Sequence, residues 1–572
     1  MSKPKVLLNL YWHMHQPDYR DVVTNEYVLP WTYLHAIKDY TDMVFHLESN
    51  PKARVTFNFV PILLDQLEDY ALQFSENKIR DPLLAMLGQE SLDYISPAQC
   101  ELIIDSCFKS HHEKMLAPYP QYQRLYELHQ IANQSSSDDI NLQYFSGQYK
   151  ADLLVWYHLA WMGESVKRNN MLVQVLMKKG CHFSYAERRA LFDTIGELIT
   201  NLIPRYKALA TKKQIEISST PHYHPILPLL LDFKSTRDAM PNAPLPQTKQ
   251  YSGGRLRART HVEMAQISHT KRFDELPKGM WPAEGAVSHA ALTMLAEHGV
   301  QWAATGQGVL ANSLTKMGVD VTFKPNYLYQ LYQVTDGNHD ILCFFRDDQL
   351  SDKIGFEYAK MHSTDAVADF LQSLQYIYHE NNTDQHRVVS VILDGENAWE
   401  YFPYNGYYFL TELYQALTQH PHIEMTTFSD VVGKMHVDAT IPVATLKEIV
   451  AGSWVYGSFS TWIGSADKNL GWDLLCDAKA AYDKVLQSNH LSKERLSACE
   501  EQLAICEGSD WFWWLGDYNS AMSVDSFDSL FRRNLANLYR LLELNVPEIL
   551  NKPISVGSGD PAMGGAMRRG SE

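Results

Sequence analysis

An α/β fold is what this sequence predicts: a parallel sheet with crossover helices, a helical insertion and a helical C-terminal region. Three observations carry that expectation. Nearly unbroken apolar runs at residues 5–12 and 54–60 read as strands buried on both faces, with a helical pattern following the second. From about residue 67 to 213 amphipathic segments dominate, and no strand of comparable strength interrupts them. Strand-like runs then return, until beyond residue 440 the chain again reads as helical.

The elements follow in order. Residues 5–12 form the first expected strand and 54–60 the second, after which Pro61 opens the helical pattern 62–70. Segments 82–87, 97–108, 153–162 and 185–209 make up the insertion, and the polar stretch 133–139 reads as a surface loop within it. Strands are expected again at 214–218, 300–304, 340–345 and 388–393. A helix over 288–298 ends at Gly299, a fitting residue for a left-handed terminus. Ser363 or Thr364 is placed to cap a helix over 365–378. The run 423–428 reads as the last strand, entering a helix at Ser429-Asp430. Helical segments 473–487, 492–507 and 527–544 follow, and from residue 555 a Gly-rich stretch without apolar periodicity reads as disordered. The expected division is therefore 1–66 with 214–438 for the sheet domain, 67–213 for the insertion, 439–552 for the C-terminal helical domain and 553–572 for the tail.

Composition narrows the function. With 572 residues the chain is too long for one simple core, and 45% hydrophobic and 20% charged residues describe an ordinary globular protein. A formal net charge of −17 repels phosphate backbones and anionic lipid, which argues against nucleic acid and membrane surfaces as partners. It suits a neutral ligand, and 32 Tyr with 13 Trp offer flat rings with polar edges, good platforms for sugars, although most aromatics are expected to be core. Seven cysteines without tight CxxC spacing read as free thiols in a reducing compartment. The first apolar run is short and broken at once by His13 and His15, so no signal peptide is read, no stretch is long enough to cross a bilayer, and a cytoplasmic location is expected.

Two carboxylate motifs carry the chemistry. Met280-Trp281-Pro282-Ala283-Glu284-Gly285 and Leu393-Asp394-Gly395-Glu396-Asn397-Ala398-Trp399-Glu400 each close a strand-like run amid aromatics. Glycosidic cleavage takes two facing carboxyl groups, one as nucleophile or base and the other as acid. Asp394 should sit at the carboxyl end of a parallel strand, where such folds place chemistry. Trp399, Tyr401 and Tyr404 would dehydrate it and raise its pKa, while Glu396 competes for the same role. Glu284, just before the helix 288–298, is expected to stay ionised, as a nucleophile requires. Taken singly, Glu284 reads first as a helix cap, and Asp394 reads equally as a cap or loop residue. His13 and His15 after the first strand, and His222 and His224 after the third, read either as metal ligands or as hydrogen-bonding groups in a polar pocket. No cysteine cluster or HExxH accompanies them, so no metal is assigned. Trp511-Phe512-Trp513-Trp514 reads as a docking surface, and Trp462, near Asp467, Lys468 and Asn469, as a ligand contact. There is no GxGxxG after a strand, no Walker loop and no GxSxG elbow, and no cofactor is expected.

These residues resemble glycoside hydrolase family 57, the α-amylase and 4-α-glucanotransferase group, and its amylopullulanase-type members in particular. Five ordered motifs carry the resemblance: His13-Met-His15-Gln16-Pro17, then Gln214 through Pro225, then Trp281 through Ser288, then Leu393 through Glu400, then Trp454 through Trp472. The resemblance implies an incomplete (β/α)7 barrel with a helical insertion and a C-terminal helical domain closing the cleft. It implies a retaining mechanism on α-1,4-glucans or maltooligosaccharides, with Glu284 as nucleophile and Asp394 as acid/base. His13, His15, Gln16, Glu216, His224, Trp281, Glu396, Trp399 and Trp462 would then bind substrate. Hydrolysis and glycosyl transfer both remain open. The alternatives are a metal-dependent glycosidase or deacetylase on a similar barrel, with His13 and His15 as ligands, and a non-catalytic glucan-binding protein on a decayed barrel.

Overall fold

Each buried apolar run becomes a strand whose carboxyl end points the same way. The computed structural model describes residues 5–134, 145–380, 384–488, 490–558 and 567–570. Ten strands join one sheet: β1 (Val6–Met14), β2 (Val55–Phe59), β3 (Ile215–Ser219), β4 (Gly279–Met280), β5 (Trp302–Thr305), β6 (Leu331–Thr335), β7 (Asp340–Phe345), β8 (Arg387–Asp394), β9 (Ile423–Thr426) and β10 (Val443–Thr445). The order β8-β1-β2-β3-β4-β5-β7 is parallel throughout. An isolated bridge from Arg346 to Ser390 brings β7 back to β8, so these seven strands curl into an imperfectly closed barrel. β9 pairs with the amino-terminal half of β1, whereas β2 pairs with its carboxyl half. β6 runs antiparallel to β7 at the sheet's edge.

The barrel is filled rather than hollow. Leu7, Tyr11, Trp281, Trp302, Phe344, Ile392 and Phe428 form a buried cluster inside it, with Tyr11 and Phe428 each ring-to-ring against Trp302. Such packing excludes water from the barrel's middle and leaves room for a ligand only at the rim.

Between β2 and β3 the chain is helical, as the amphipathic pattern predicts. Four of its helices, Pro61–Glu76, Pro82–Gly88, Pro97–Ser106 and Pro120–Gln134, open on a proline whose missing N–H is one of the groups a first turn leaves unpaired. The last, Tyr185–Thr211, starts at a capping box of Ser184 and Glu187 and leads into β3. The C-terminal helices are Ala466–Ser488, Lys493–Cys506, Asp510–Trp514 and Ala521–Leu541. Among the described residues no helix is long and apolar enough to cross a membrane.

Several expectations are corrected. β10 joins the edge beside β6, outside the barrel, as a short strand that the sequence reading does not contain. The helix Ser363–His379 is capped by His362, whose side chain accepts from the Thr364 N–H, not by Ser363 or Thr364. Most of the expected loop 133–139 lies outside the described residues, as do 559–566 and 571–572 of the expected tail. Residues 567–570 are not loose: Gly570 is buried and the Arg568 guanidinium lies 4.6 Å from the Trp513 ring.

Candidate active site

The carboxyl ends of the strands open into a cavity of about 720 Å³. β1 supplies His13, and the residues after it, His15 and Gln16, follow. The turn after β3 supplies His224, the turn after β4 supplies Glu284, and β8 ends on Asp394 with Glu396 and Asn397 beyond. His13 and Asp394 are register partners across β1 and β8, so the strand pairing itself sets them side by side. The insertion adds Leu83, Phe108 and Trp161 to the wall, and the C-terminal region adds Trp454, Asp510, Trp513 and Trp514.

Two residues here hold a backbone that side chains disfavour. Glu284 has φ 60° and His224 φ 59°, both left-handed, which costs each ~1–3 kcal/mol. The C-terminal region clasps both in the same way. The Trp454 N–H donates to the Glu284 carbonyl at 3.1 Å while its indole Nε1–H donates to Glu284 Oε2 at 3.1 Å. The Ser509 N–H donates to the His224 carbonyl at 2.9 Å, and its Oγ lies 2.8 Å from His224 Nδ1 and 3.4 Å from Glu284 Oε1. The next residue, Asp510, accepts from His15 Nε2 at 2.8 Å.

That clasp is anchored by a buried ion cluster. Glu507 is fully buried, accepts from Arg257 Nε at 2.8 Å, His261 Nε2 at 2.7 Å and the Tyr251 hydroxyl at 2.5 Å. Burial alone would raise its carboxyl, but the Arg257 charge and these donors hold it at about 2.

The acids in the cavity are pushed the other way. Burial, then the Asp510 and Asp394 charges, drive Glu284 up to about 8. Burial raises Asp394 to about 6, against a 2.9 Å bond from Asn397. Burial and the nearby Asp394 hold Glu396 well above the carboxylate range, its Oε1 accepting from the His15 N–H at 3.1 Å. The helix-terminus argument for an ionised Glu284 therefore does not hold here, because burial and two neighbouring carboxylates outweigh a helix that starts several residues later. Burial lowers His13 to about 3 and holds His224 well below the usual imidazole range, leaving neutral rings suited to hydroxyl groups.

His15, His224 and Asp510 are the group, among the described residues, whose ligand atoms lie close enough to share a metal ion. Yet the two rings stack at 3.9 Å and 26°, so their in-plane lone pairs run side by side instead of converging. The arrangement fits a hydrogen-bonding wall. His222 points elsewhere, to Asp65 at 2.8 Å.

The matching family model is that of glycosyl hydrolase family 57, over residues 9–444. The chain belongs to this family. The family 57 chain is thereby a glycoside hydrolase or transferase. It is similar to a family 57 branching enzyme from Thermococcus kodakaraensis, at 13% identity over 94% of this chain and 90% of that one, with TM-score 0.57. The α-amylase AmyC from Thermotoga maritima is 13% identical over 96% of both chains, with TM-score 0.53. The 4-α-glucanotransferase from Thermococcus litoralis is 12% identical over 94% of this chain and 60% of that one, with TM-score 0.50. At these identities the likeness shows a common fold. No curated protein matches the sequence.

Of the expected site residues of the family 57 chain, the structure gathers His13, His15, Gln16, His224, Glu284, Asp394 and Glu396 around the cavity. Four others lie outside it. Glu216 is near the start of β3, at the far end of the barrel, where it binds the Ser429 N–H and the Trp302 indole. Trp281 is fully buried beneath the site, packed between Tyr11 and Trp454. Trp399 is buried against Trp12 under the loop that follows Asp394, and donates to the Gly395 carbonyl at 2.8 Å. Trp462 is buried behind Trp513. These rings support the wall rather than form it. Sequence reasoning missed Trp454, Ser509, Asp510, Trp513 and Trp514. For the last four the signal is the acid Asp510 set directly before the aromatic run Trp511–Trp514, and for Trp454 its place in the fifth motif.

Proposed function

We propose that the protein is a retaining enzyme acting on α-1,4-glucan, with Glu284 as nucleophile and Asp394 as acid/base. The observation that carries the reading is that the side chains of these two residues, distant in sequence, line one cavity at the barrel's rim, where the Asp394 charge raises the proton affinity of Glu284. In the first step the Glu284 carboxylate attacks the anomeric carbon while Asp394 gives its proton to the leaving glycosidic oxygen. In the second, the Asp394 carboxylate takes a proton from the acceptor, whose oxygen displaces Glu284 from the sugar. Water as acceptor gives hydrolysis and a sugar hydroxyl gives transfer. The neutral His13 and His224, with His15, supply donors and acceptors for the ring hydroxyls bound between the acids. Trp513, Trp514 and Phe527 line the same cavity and give further glucosyl units apolar edges to pack against. The structural relatives include a branching enzyme, an amylase and a glucanotransferase, which supports an α-glucan as substrate.

The test uses maltooligosaccharides. Glu284→Gln should abolish nearly all turnover while leaving binding, and Asp394→Asn should lower kcat by ~10²–10⁴-fold. Full activity of E284Q would overturn the assignment, and a product of inverted anomeric configuration would overturn retention. A rise in reducing ends marks hydrolysis, whereas disproportionation into longer and shorter oligomers marks transfer.

A further inference from the structure

Residues 567–570 are bound to the rim of the site by contacts that none of the chemistry above uses. The Gly570 carbonyl accepts from the Tyr456 N–H at 2.9 Å, and its own N–H donates to Asp352 Oδ2 at 3.1 Å. No side chain fits there: a Cβ on Gly570 would lie 2.5 Å from Asp348 Cγ and 2.6 Å from Arg346 Nη1. Arg568 covers Trp513 and Tyr518 at 4.6 and 4.3 Å, and its Nη1 reaches Thr461 Oγ1 at 3.4 Å.

What Gly570 touches leads directly to both acids. Tyr456 is two residues from Trp454, whose main chain and indole both bind Glu284. Asp352 holds Arg346 at 2.7 Å, and the Arg346 guanidinium lies 5.6 Å from the Trp454 ring. Arg346 Nε also donates to the Ile392 carbonyl at 2.9 Å, two residues before Asp394. Tyr456 itself has φ 56°, a left-handed backbone that needs outside contacts to persist.

We propose that residues 567–570 are a positioning strap, holding the Trp454 loop so that the indole N–H keeps the Glu284 carboxylate aimed at the anomeric carbon. The strap touches neither acid and acts through Trp454 and Arg346. This rests on the proposed role of Glu284 for its effect on rate, but not for its effect on the Trp454 contact.

Two variants test it: a chain ending at Ser558, and Gly570→Leu in the full chain. Both should lower kcat on maltooligosaccharides by on the order of ten- to 10²-fold, as expected for a misplaced reacting group, with KM nearly unchanged, and the chain ending at Ser558 should keep its melting temperature. In a Trp454→Phe background, G570L should cost little more, because both changes remove one contact. The indole N–H resonance of Trp454, assigned by its loss in W454F, should shift in both strap variants. That shift is read whether or not E284Q is inactive, so failure of the strap and failure of the nucleophile assignment are separable. An unmoved resonance, an unchanged or raised kcat, or a loss fully additive with W454F would each overturn the strap. So would a loss of kcat that merely tracks a fall in melting temperature.

Discussion

At the residue scale, the question is where one proton sits. Glu284, beside the Asp394 charge, is held near 8 and Asp394 near 6, so between those limits the pair carries one proton and one negative charge. These values put the proton on Glu284, whereas a retaining mechanism needs it on Asp394, so the reactive form is the one in which that proton has moved to Asp394. As pH falls below about 6 the pair gains its second proton and the nucleophile is lost. As pH rises above about 8 the acid is lost. The kcat/KM profile should therefore be a bell with limbs near these values, and a rate flat from pH 5 to 9 would contradict the pairing. Asp510 is the larger charge effect on Glu284, and Asp510→Asn should move the alkaline limb to lower pH. Both acids were legible from sequence, because each follows a strand and precedes a turn. The left-handed φ of Glu284 was not, since a non-glycine residue takes it only when distant contacts enforce it. Neither was the burial of Trp281, Trp399 and Trp462, because a tryptophan beneath a site and one facing it look alike in a motif.

At the scale of elements, the Glu507 cluster decides whether the C-terminal clasp stays in place. Glu507→Gln would leave Arg257 buried beside a neutral partner, and should lower stability by ~3–5 kcal/mol in urea unfolding followed by tryptophan fluorescence. The pH dependence has a fixed sign. Glu507 is depressed from 4.5 to about 2, so its contribution is complete above about 4.5 and disappears as pH falls through about 2. The gap between wild type and E507Q should narrow over that window, and a gap that widens on acidification would contradict the cluster. The long strands were readable as apolar runs. β4 was not, having only two residues, Gly279 and Met280. The helix Gly254–Phe273 also escaped notice: it buries Arg257 and His261 for the sake of Glu507, so its inward face lacks the apolar stripe that betrays an amphipathic helix.

At the scale of the molecule, three stretches of chain far apart in sequence make one site. The barrel contributes both acids with His13, His15 and His224, the insertion a mixed wall that runs from Leu83 and Phe108 to Lys109 and His111, and the C-terminal region Trp454, Asp510, Trp513 and Trp514. The expected helical character of the last two regions says nothing of how they dock, because docking depends on pairs such as Ser509–His224, separated by hundreds of residues. The net charge of −17 leaves a neutral polymer as the ligand least opposed by the protein's field. The most direct measurement is covalent trapping: incubation with a 5-fluoro-α-glucosyl fluoride, which forms but only slowly releases a glycosyl-enzyme, followed by mass spectrometry of the digested protein. The expected result is a single added sugar on the peptide containing Glu284, absent in E284Q. A sugar carried instead by Glu396 or Asp510, or rapid turnover with no glycosyl-enzyme at any time, would contradict it.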